Sequence, residues 1–563
     1  MKKILFSILI FLTGCYQQTE INLILTNANV ITLNRKNPQA QIVVIKNDKI
    51  HHVGSMADLD NYIEPSTKII DLQGKTVIPG FIDAHAHFMS LGNSLINIDL
   101  NQITNWDEAV KKVESSLKDS QMGDWITGRG WHQEKWEKSP KQNVDGYPVH
   151  NSISSFSPDN PVLLKHASGH AIFVNAKAME IAGIDSKTKD PDGGEIIRDA
   201  DGNPTGVLLE TAMDLVYDRY KEYQESLSLE EQNRINLEYI KAATEHCLEN
   251  GVTTFHDAGV WFKEIDLFKK LAKKDALDIR LWVMISSEES LSHKLLKKYK
   301  MIGFGNDHLT VRAIKQYADG ALGSRGAWML EPYTDMPSTS GLNVTPLDSI
   351  KRTAQLAFKN GYQLCTHAIG DRGNREMLDI YQNTLNGDLF RRWRIEHAQH
   401  LSLDDITRFD SMGIIASMQT VHCTSDGPWV PVRIGDKRSE QGAYVWQKIL
   451  QSGAYIANGT DSPVERLSPI ANYYAAVTRR LNDGSQFYPK QVLSRKDALK
   501  SLTIWNAFAG FEENIKGSIE VGKLADLVVL SQNILTVPKD EILNTKVLYT
   551  IVGGNVKYET KDK

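Results

Sequence analysis

The sequence predicts an α/β fold: a (β/α)8 TIM barrel, a small β-sandwich domain formed by both chain ends, and a long insertion after the first strand. Three observations lead there. The middle of the chain alternates short apolar runs with longer amphipathic stretches, the signature of βα units. Eight strand-like runs can be placed, at Val77–Asp83, Gly251–His256, Ile279–Ile285, Leu309–Lys315, Tyr362–His367, Trp393–His397, Ile414–Met418 and Tyr455–Gly459. Chemically active residues lie at or just past the C-terminal ends of several of these runs, which is where a parallel barrel builds its site.

The first fifteen residues read as a signal peptide with a lipobox cysteine. Met1-Lys-Lys supplies positive charge, and Ile4 to Leu12 is an almost wholly apolar run. That run is too short to span a bilayer and suits a signal-peptide core. Leu12-Thr-Gly-Cys15 resembles the lipobox of bacterial lipoproteins, which implies cleavage before Cys15 and its lipidation. A plain secretory signal with a chance cysteine is the competing reading. The second residue after the cut is Tyr16 rather than Asp, and by resemblance to Gram-negative sorting this implies the outer membrane, facing the periplasm. The expected membrane partner is therefore a lipid anchor only, since no other segment is long and apolar enough to cross.

Residues 21–78 and 510–560 are expected to form the discontinuous β domain. Ile21-Asn-Leu-Ile-Leu, Asn29-Val-Ile-Thr-Leu, Ala40-Gln-Ile-Val-Val-Ile and Lys68-Ile-Ile-Asp-Leu are β-branched and bounded by turn residues. Near the other end come Ala525-Asp-Leu-Val-Val-Leu, Val547-Leu-Tyr-Thr-Ile-Val and Asn555-Val-Lys-Tyr, with Gly553-Gly554 as a hairpin turn. Residues 79–509 make the barrel, with helices at Glu230 to Glu249 and Ser349 to Lys359 among others. The first interval is far longer than the rest, so residues 100–225 are read as an insertion, rich in Trp, Gly and Asp.

Composition narrows the class. Of 563 residues, 41% are hydrophobic and 24% charged, an ordinary globular balance. A net charge of −5 with no basic patch points away from nucleic acid. Beyond Cys15, Cys247, Cys365 and Cys423 are too few and too scattered for a disulfide framework, and read as buried or free thiols.

The chemistry begins at His85-Ala-His87. Residues i and i+2 of a strand share a face, so two imidazoles can grip one ion from a single strand end. An HxH alone is weak, but His367, His397 and Asp461 each follow a later strand, and Lys315 ends the fourth. Each has a plainer reading: a satisfied core histidine for His367 and His397, a barrel-rim lysine for Lys315, and a helix N-cap before Ser-Pro for Asp461.

Taken together the motifs are specific. Pro79-Gly-Phe-Ile-Asp-Ala-His-Ala-His, Lys315-Gln-Tyr-Ala-Asp-Gly-Ala-Leu-Gly-Ser-Arg, His367-Ala-Ile-Gly-Asp-Arg, Ile395-Glu-His-Ala-Gln and Gly459-Thr-Asp-Ser-Pro occur in order. Trp505-Asn-Ala-Phe-Ala-Gly and Gly517-Ser-Ile-Glu-Val-Gly-Lys-Leu-Ala-Asp-Leu-Val-Val-Leu follow. In these stretches, from about Asn22 onward, the chain resembles the amidohydrolase superfamily, in particular the branch that includes N-substituted formamide deformylases. The resemblance implies that His85 and His87 bind the more buried metal with Asp461. It implies that His367 and His397 bind a second metal and that Lys315, carbamylated on its amine, bridges the two.

Mixed nitrogen and oxygen ligands suit one or two divalent ions, Zn²⁺ first, with Fe, Mn or Co as alternatives. The implied reaction is hydrolysis of a C–N bond in an amide, N-substituted formamide or cyclic amide. A metal-bound hydroxide attacks and Asp461 shuttles the proton. The expected partner is a small amide-like molecule; a homodimer stands open.

Other polar residues carry weaker expectations. His170 either touches substrate or caps a turn. Asp319 and Arg325 either fix a loop over the metals near substrate or make a loop salt bridge. His256-Asp257 ends the second strand as support or packing, and Trp125, Trp131 and Trp136 either roof an apolar pocket or fill a core. The sequence departs from the family at His132, where Gly-Trp-Asp is commoner, and at Cys423 after His422, where His-Ala is usual. Three competing functions remain: a deaminase or esterase on the same scaffold, an inactive lipid-anchored binding protein, and a surface structural protein. The intact ligand set speaks against the inactive binding protein, and the structural protein predicts no bound metal, which elemental analysis would separate.

Overall fold

The computed structural model describes residues 21–561, apart from 101–102, 119, 134–135, 167–170 and 193. Cys15 with its leader, and His170, lie outside the described residues. The chain divides into two units. One comprises the chain up to His85, Leu248–Thr460, and the chain from Ser468 onward; the other comprises Ala86–Cys247 and Asp461–Leu467.

In the first unit eight strands curl into a nearly closed parallel barrel. They are β1 (Phe81–Ala86), β2 (Val252–Val260), β3 (Arg280–Ser286), β4 (Leu309–Tyr317), β5 (Gln363–Ala368), β6 (Arg394–His397), β7 (Ile415–Met418) and β8 (Ile456–Asn458), neighbours in that order. Most of their residues are buried, as expected when both faces of a parallel sheet are covered. The helices predicted at Glu230 to Glu249 and Ser349 to Lys359 are present as Leu229–Glu249 and Leu347–Asn360.

Side chains close the seam between β1 and β8. Asn506 donates from Nδ2 to Ile82 O at 2.5 Å and to Asn458 O at 2.8 Å, while its Oδ1 accepts from Asn458 N–H at 3.0 Å. The Asp83 carboxylate accepts from Thr460 N–H at 3.1 Å and from the Thr460 hydroxyl at 2.6 Å.

The run Val77–Asp83, expected as one strand, is two. Thr76–Pro79 pairs antiparallel with Leu527–Leu530 in another sheet, and the chain enters the barrel only at Phe81. Gly80 makes the switch: a Cβ there would sit 2.2 Å from the Thr253 hydroxyl on β2, so only glycine fits.

Both chain ends supply two further sheets of this unit. A four-stranded sheet orders Lys49–Gly54, Ile42–Lys46, Ile21–Thr26 and Lys68–Asp71. A six-stranded one orders Asn555–Glu559, Val547–Val552, Leu527–Leu530, Thr76–Pro79, Asn29–Ile31 and Gln39–Ala40. Leu23, Leu25, Val43 and Ile45 of the first share one apolar cluster with Val30, Val77, Leu527, Val529 and Ile551 of the second. Gly553 and Gly554 both take positive φ, +54° and +74°, as a two-residue hairpin turn requires. An ion pair ties this part to the barrel: Arg280, at the start of β3, meets Asp526 at 2.7 and 3.0 Å.

The second unit is organised on a six-stranded mixed sheet: Gly194–Arg198, Pro204–Glu210, Ala171–Val174, Val162–His166, Ile126–Trp131 and Ile98–Asp99. Its side chains alternate between faces. Leu164, Phe173 and Val207 join Trp106, Ala109 and Val113 of the helix Trp106–Leu117 on one side. Leu163, Ile172 and Leu208 pack with Ala178, Met179 and Val216 on the other.

Candidate active site

The first unit brings four of the expected residues to one end of the barrel. His85 lies next to last in β1, Lys315 near the end of β4, His367 near the end of β5, and His397 at the end of β6. The ring centroids of His85 and His397 are 4.8 Å apart, and those of His367 and His397 are 4.5 Å apart. The Lys315 amine is 3.2 Å from His85 Nε2.

His397 reaches this position by breaking the strand's alternation. Glu396 points into the barrel, so its neighbour would ordinarily point out. At His397 the backbone instead takes φ +71°, and at Ala398 +41°, conformations that L residues rarely adopt. Such strain is stored where surrounding structure overrides local preference, often at functional sites. Nδ1 of the re-aimed ring donates to Gln419 Oε1 at 2.8 Å. His422 belongs to the same neighbourhood, offering a ring nitrogen within 4.8 Å of one on His397.

Behind His85 stands Glu396, whose Oε2 is 2.5 Å from His85 Nδ1. Burial would raise its carboxyl, but the charges of Arg394, His85 and Lys315 overcome this and hold it well below the usual carboxylate range. His256, in mid-strand rather than at the end of β2, is kept neutral by burial and by the Arg394 charge.

In the second unit His87 Nε2 is 3.1 Å from Asp461 Oδ1. The backbone at His87 remains extended (φ −127°, ψ 97°) and caps the helix Phe88–Ile96. Asp461 also has a positive φ, +59°. It is not a helix cap: its carbonyl closes a turn to Val464 N–H at 2.9 Å, and the next helix, Pro469–Thr478, is capped by Ser468. The competition between cap and ligand roles is thereby removed.

Asp319 is buried, and accepts from the N–H groups of Ile369, Trp328 and Gly370 at 2.8–2.9 Å. Burial pushes its carboxyl up to about 7 despite those bonds. One of its oxygens is 3.5 Å from His367 Nε2. Arg325 makes the loop salt bridge, at 2.8 Å to Asp335, which also pairs with Arg433. The tryptophans separate: Trp131 is fully buried and donates to Leu164 O at 2.8 Å, next to Trp136, whereas Trp125 packs on Tyr220 in the other cluster. The His132 and His166 rings lie 4.4 Å apart. Cys247, Cys365 and Cys423 are buried thiols.

Sequence reasoning missed Glu396, Arg394, Gln419 and Asp83. A signal existed for the first two, since an Arg and a Glu two apart in a barrel strand face the same interior. Gln419 and Asp83 act through turns and the seam, which no local pattern marks.

Comparison with known proteins supports a hydrolase. An uncharacterized metal-dependent hydrolase from Pyrococcus horikoshii shares the fold with a TM-score of 0.75 at 26% identity, covering 92% of this chain and 99% of that one. The chain is 34% identical over 552 residues to Protein LONG AFTER FAR-RED 3 of Arabidopsis thaliana, covering 95% of this chain and 91% of the relative. It is 26% identical over 548 residues to N-substituted formamide deformylase of Arthrobacter pascens, covering 96% and 98%. The amidohydrolase family model matches residues 68–558, and the chain belongs to that family.

Proposed function

We propose that this chain hydrolyses a C–N bond in an amide, N-substituted formamide or cyclic amide, with one or two divalent metal ions. The observation that carries the reading is the convergence of the His85, His367 and His397 rings at the barrel's C-terminal end, with the Lys315 amine against His85. Several imidazoles beside one buried amine have no apolar packing rationale. They suit a borderline cation, zinc first, with Fe, Mn or Co as alternatives.

In this reading His85, His87 and Asp461 would hold one ion and His367 and His397 the other. A carbamate on Lys315 would add two anionic oxygens to bridge them. The ions would polarise the substrate carbonyl and acidify a water. Asp461 takes the proton from the attacking water and delivers it to the departing nitrogen. The water oxygen ends on the acyl carbon, the C–N bond breaks, and an acid and an amine leave. The similarity to a formamide deformylase supports placing N-substituted formamides in the substrate panel. Export and lipid anchoring through Cys15 remain part of the proposal on the sequence reading alone.

The test is elemental analysis of the purified protein followed by assay on amides, formamides and hydantoins with added Zn²⁺ or Mn²⁺. Bound metal with chelator-sensitive turnover of at least one panel member is expected. A protein that takes up no metal, or is loaded yet inert across the panel, would refute the reading.

A further inference from the structure

Barrel interiors are ordinarily packed with branched aliphatic side chains in layers. Here a charged pair lies in the interior. Arg394 and Glu396 lie two apart on β6, share a face, and are both wholly buried. Arg394 Nε is 2.7 Å from Glu396 Oε1, and Nη2 is 3.0 Å from Oε2. The same guanidinium donates to Ala84 O on β1 at 2.5 Å and to Ser417 Oγ on β7 at 2.7 Å; its Nη1 reaches His256 Nδ1 on β2 at 3.2 Å. The fork is thus tied to three strands besides its own.

Stability alone does not require a charged pair here. Replacing a buried ion pair with apolar residues of similar volume is often neutral or stabilising. The geometry offers another reason. Glu396 Oε2 accepts from His85 Nδ1 at 2.5 Å, leaving Nε2, which faces the Lys315 amine at 3.2 Å. A carboxylate behind a ligating histidine selects its tautomer and holds its ring plane.

We propose that Arg394 and Glu396 are positioning residues: Arg394 fixes the Glu396 carboxylate to the barrel wall, and Glu396 sets the tautomer and ring orientation of His85 for metal ligation. The inference rests on the metal-site reading above.

Two variants test it. Arg394→Met combined with Glu396→Leu removes both charges without stranding either, and Glu396→Gln keeps volume and a neutral acceptor. The readouts are unfolding of the metal-free protein, zinc affinity by chelator competition, and the visible spectrum of the Co²⁺-loaded protein. For the double variant, zinc affinity lower by ~10–100-fold and an altered Co²⁺ spectrum are expected in the protein that folds. Glu396→Gln should fall between it and wild type. A purely structural pair would leave the affinity of the folded protein unchanged; a flat affinity series across the three proteins overturns the proposal. Should the double variant fail to fold, Glu396→Gln against wild type decides by the same criterion. If wild type itself binds no zinc, the metal-site reading fails, an outcome distinct from a flat series in a zinc-binding protein.

Discussion

Asp83 and Thr460 are 377 residues apart in sequence, yet one carboxylate of the first accepts both the backbone N–H and the hydroxyl of the second. The same Asp83 also accepts from the N–H of His85 at 3.1 Å. One buried acid therefore holds the end of β1 and the segment leading into Asp461. Asp83→Ala is expected to strand these donors and cost about 2–3 kcal/mol, read from urea unfolding. A loss below about 0.5 kcal/mol would mean that the seam is held by Asn506 alone.

Asp461→Asn preserves shape and a neutral ligand oxygen but cannot carry a proton. Metal content should stay near wild type while kcat falls by ~10²–10⁴-fold, the contribution of a general acid–base group. Wild-type turnover in this variant would dismiss the proposed shuttle.

Lys315→Ala removes the proposed bridge. Metal content is expected to drop, with partial recovery on adding short carboxylic acids such as acetate. Measured metal stoichiometry that does not change would show that the amine plays no part in holding the ions.

The buried pair Arg280–Asp526 predicts an acid limb in stability. Burial alone would raise the Asp526 carboxyl, but the Arg280 charge and hydrogen bonds outweigh it and hold the group below its ordinary value. With the folded value depressed, the stabilisation is complete above the unfolded carboxylate value, about 4, and is lost as pH falls through the folded value. Asp526→Asn should cost about 3–5 kcal/mol near neutral pH, and its deficit should shrink below pH ~4. Denaturant midpoints of the two proteins that run parallel down to pH 2 would contradict this.

If Cys15 is the lipidated residue, Cys15→Ser should move the protein from the membrane fraction to the soluble fraction and abolish labelling with a radioactive fatty acid. Continued membrane association without the cysteine would favour a different anchor.

Much of this protein was readable from its chain. The eight strands follow from short β-branched runs that recur between amphipathic helices, and the observed elements lie within a few residues of that reading. His85, Lys315, His367 and His397 were legible because a parallel barrel puts the C-terminal ends of its strands at one mouth, so a residue's place in its strand fixes its place in the molecule. The split at Gly80 was not legible. Val77 and Phe81 are equally good strand residues, and the need for glycine between them shows only in the close approach of Thr253 from β2. Nor was the support behind the site. Strand alternation would turn His397 outward, yet its backbone takes a positive φ and its ring lies beside those of His85 and His367 and against Gln419. Arg394 and Glu396 acquire their meaning from β1, β2 and β7. Periodicity records what each residue does along its own strand; hydrogen bonds among strands hundreds of residues apart leave no periodic trace, and those contacts were settled only when the barrel closed.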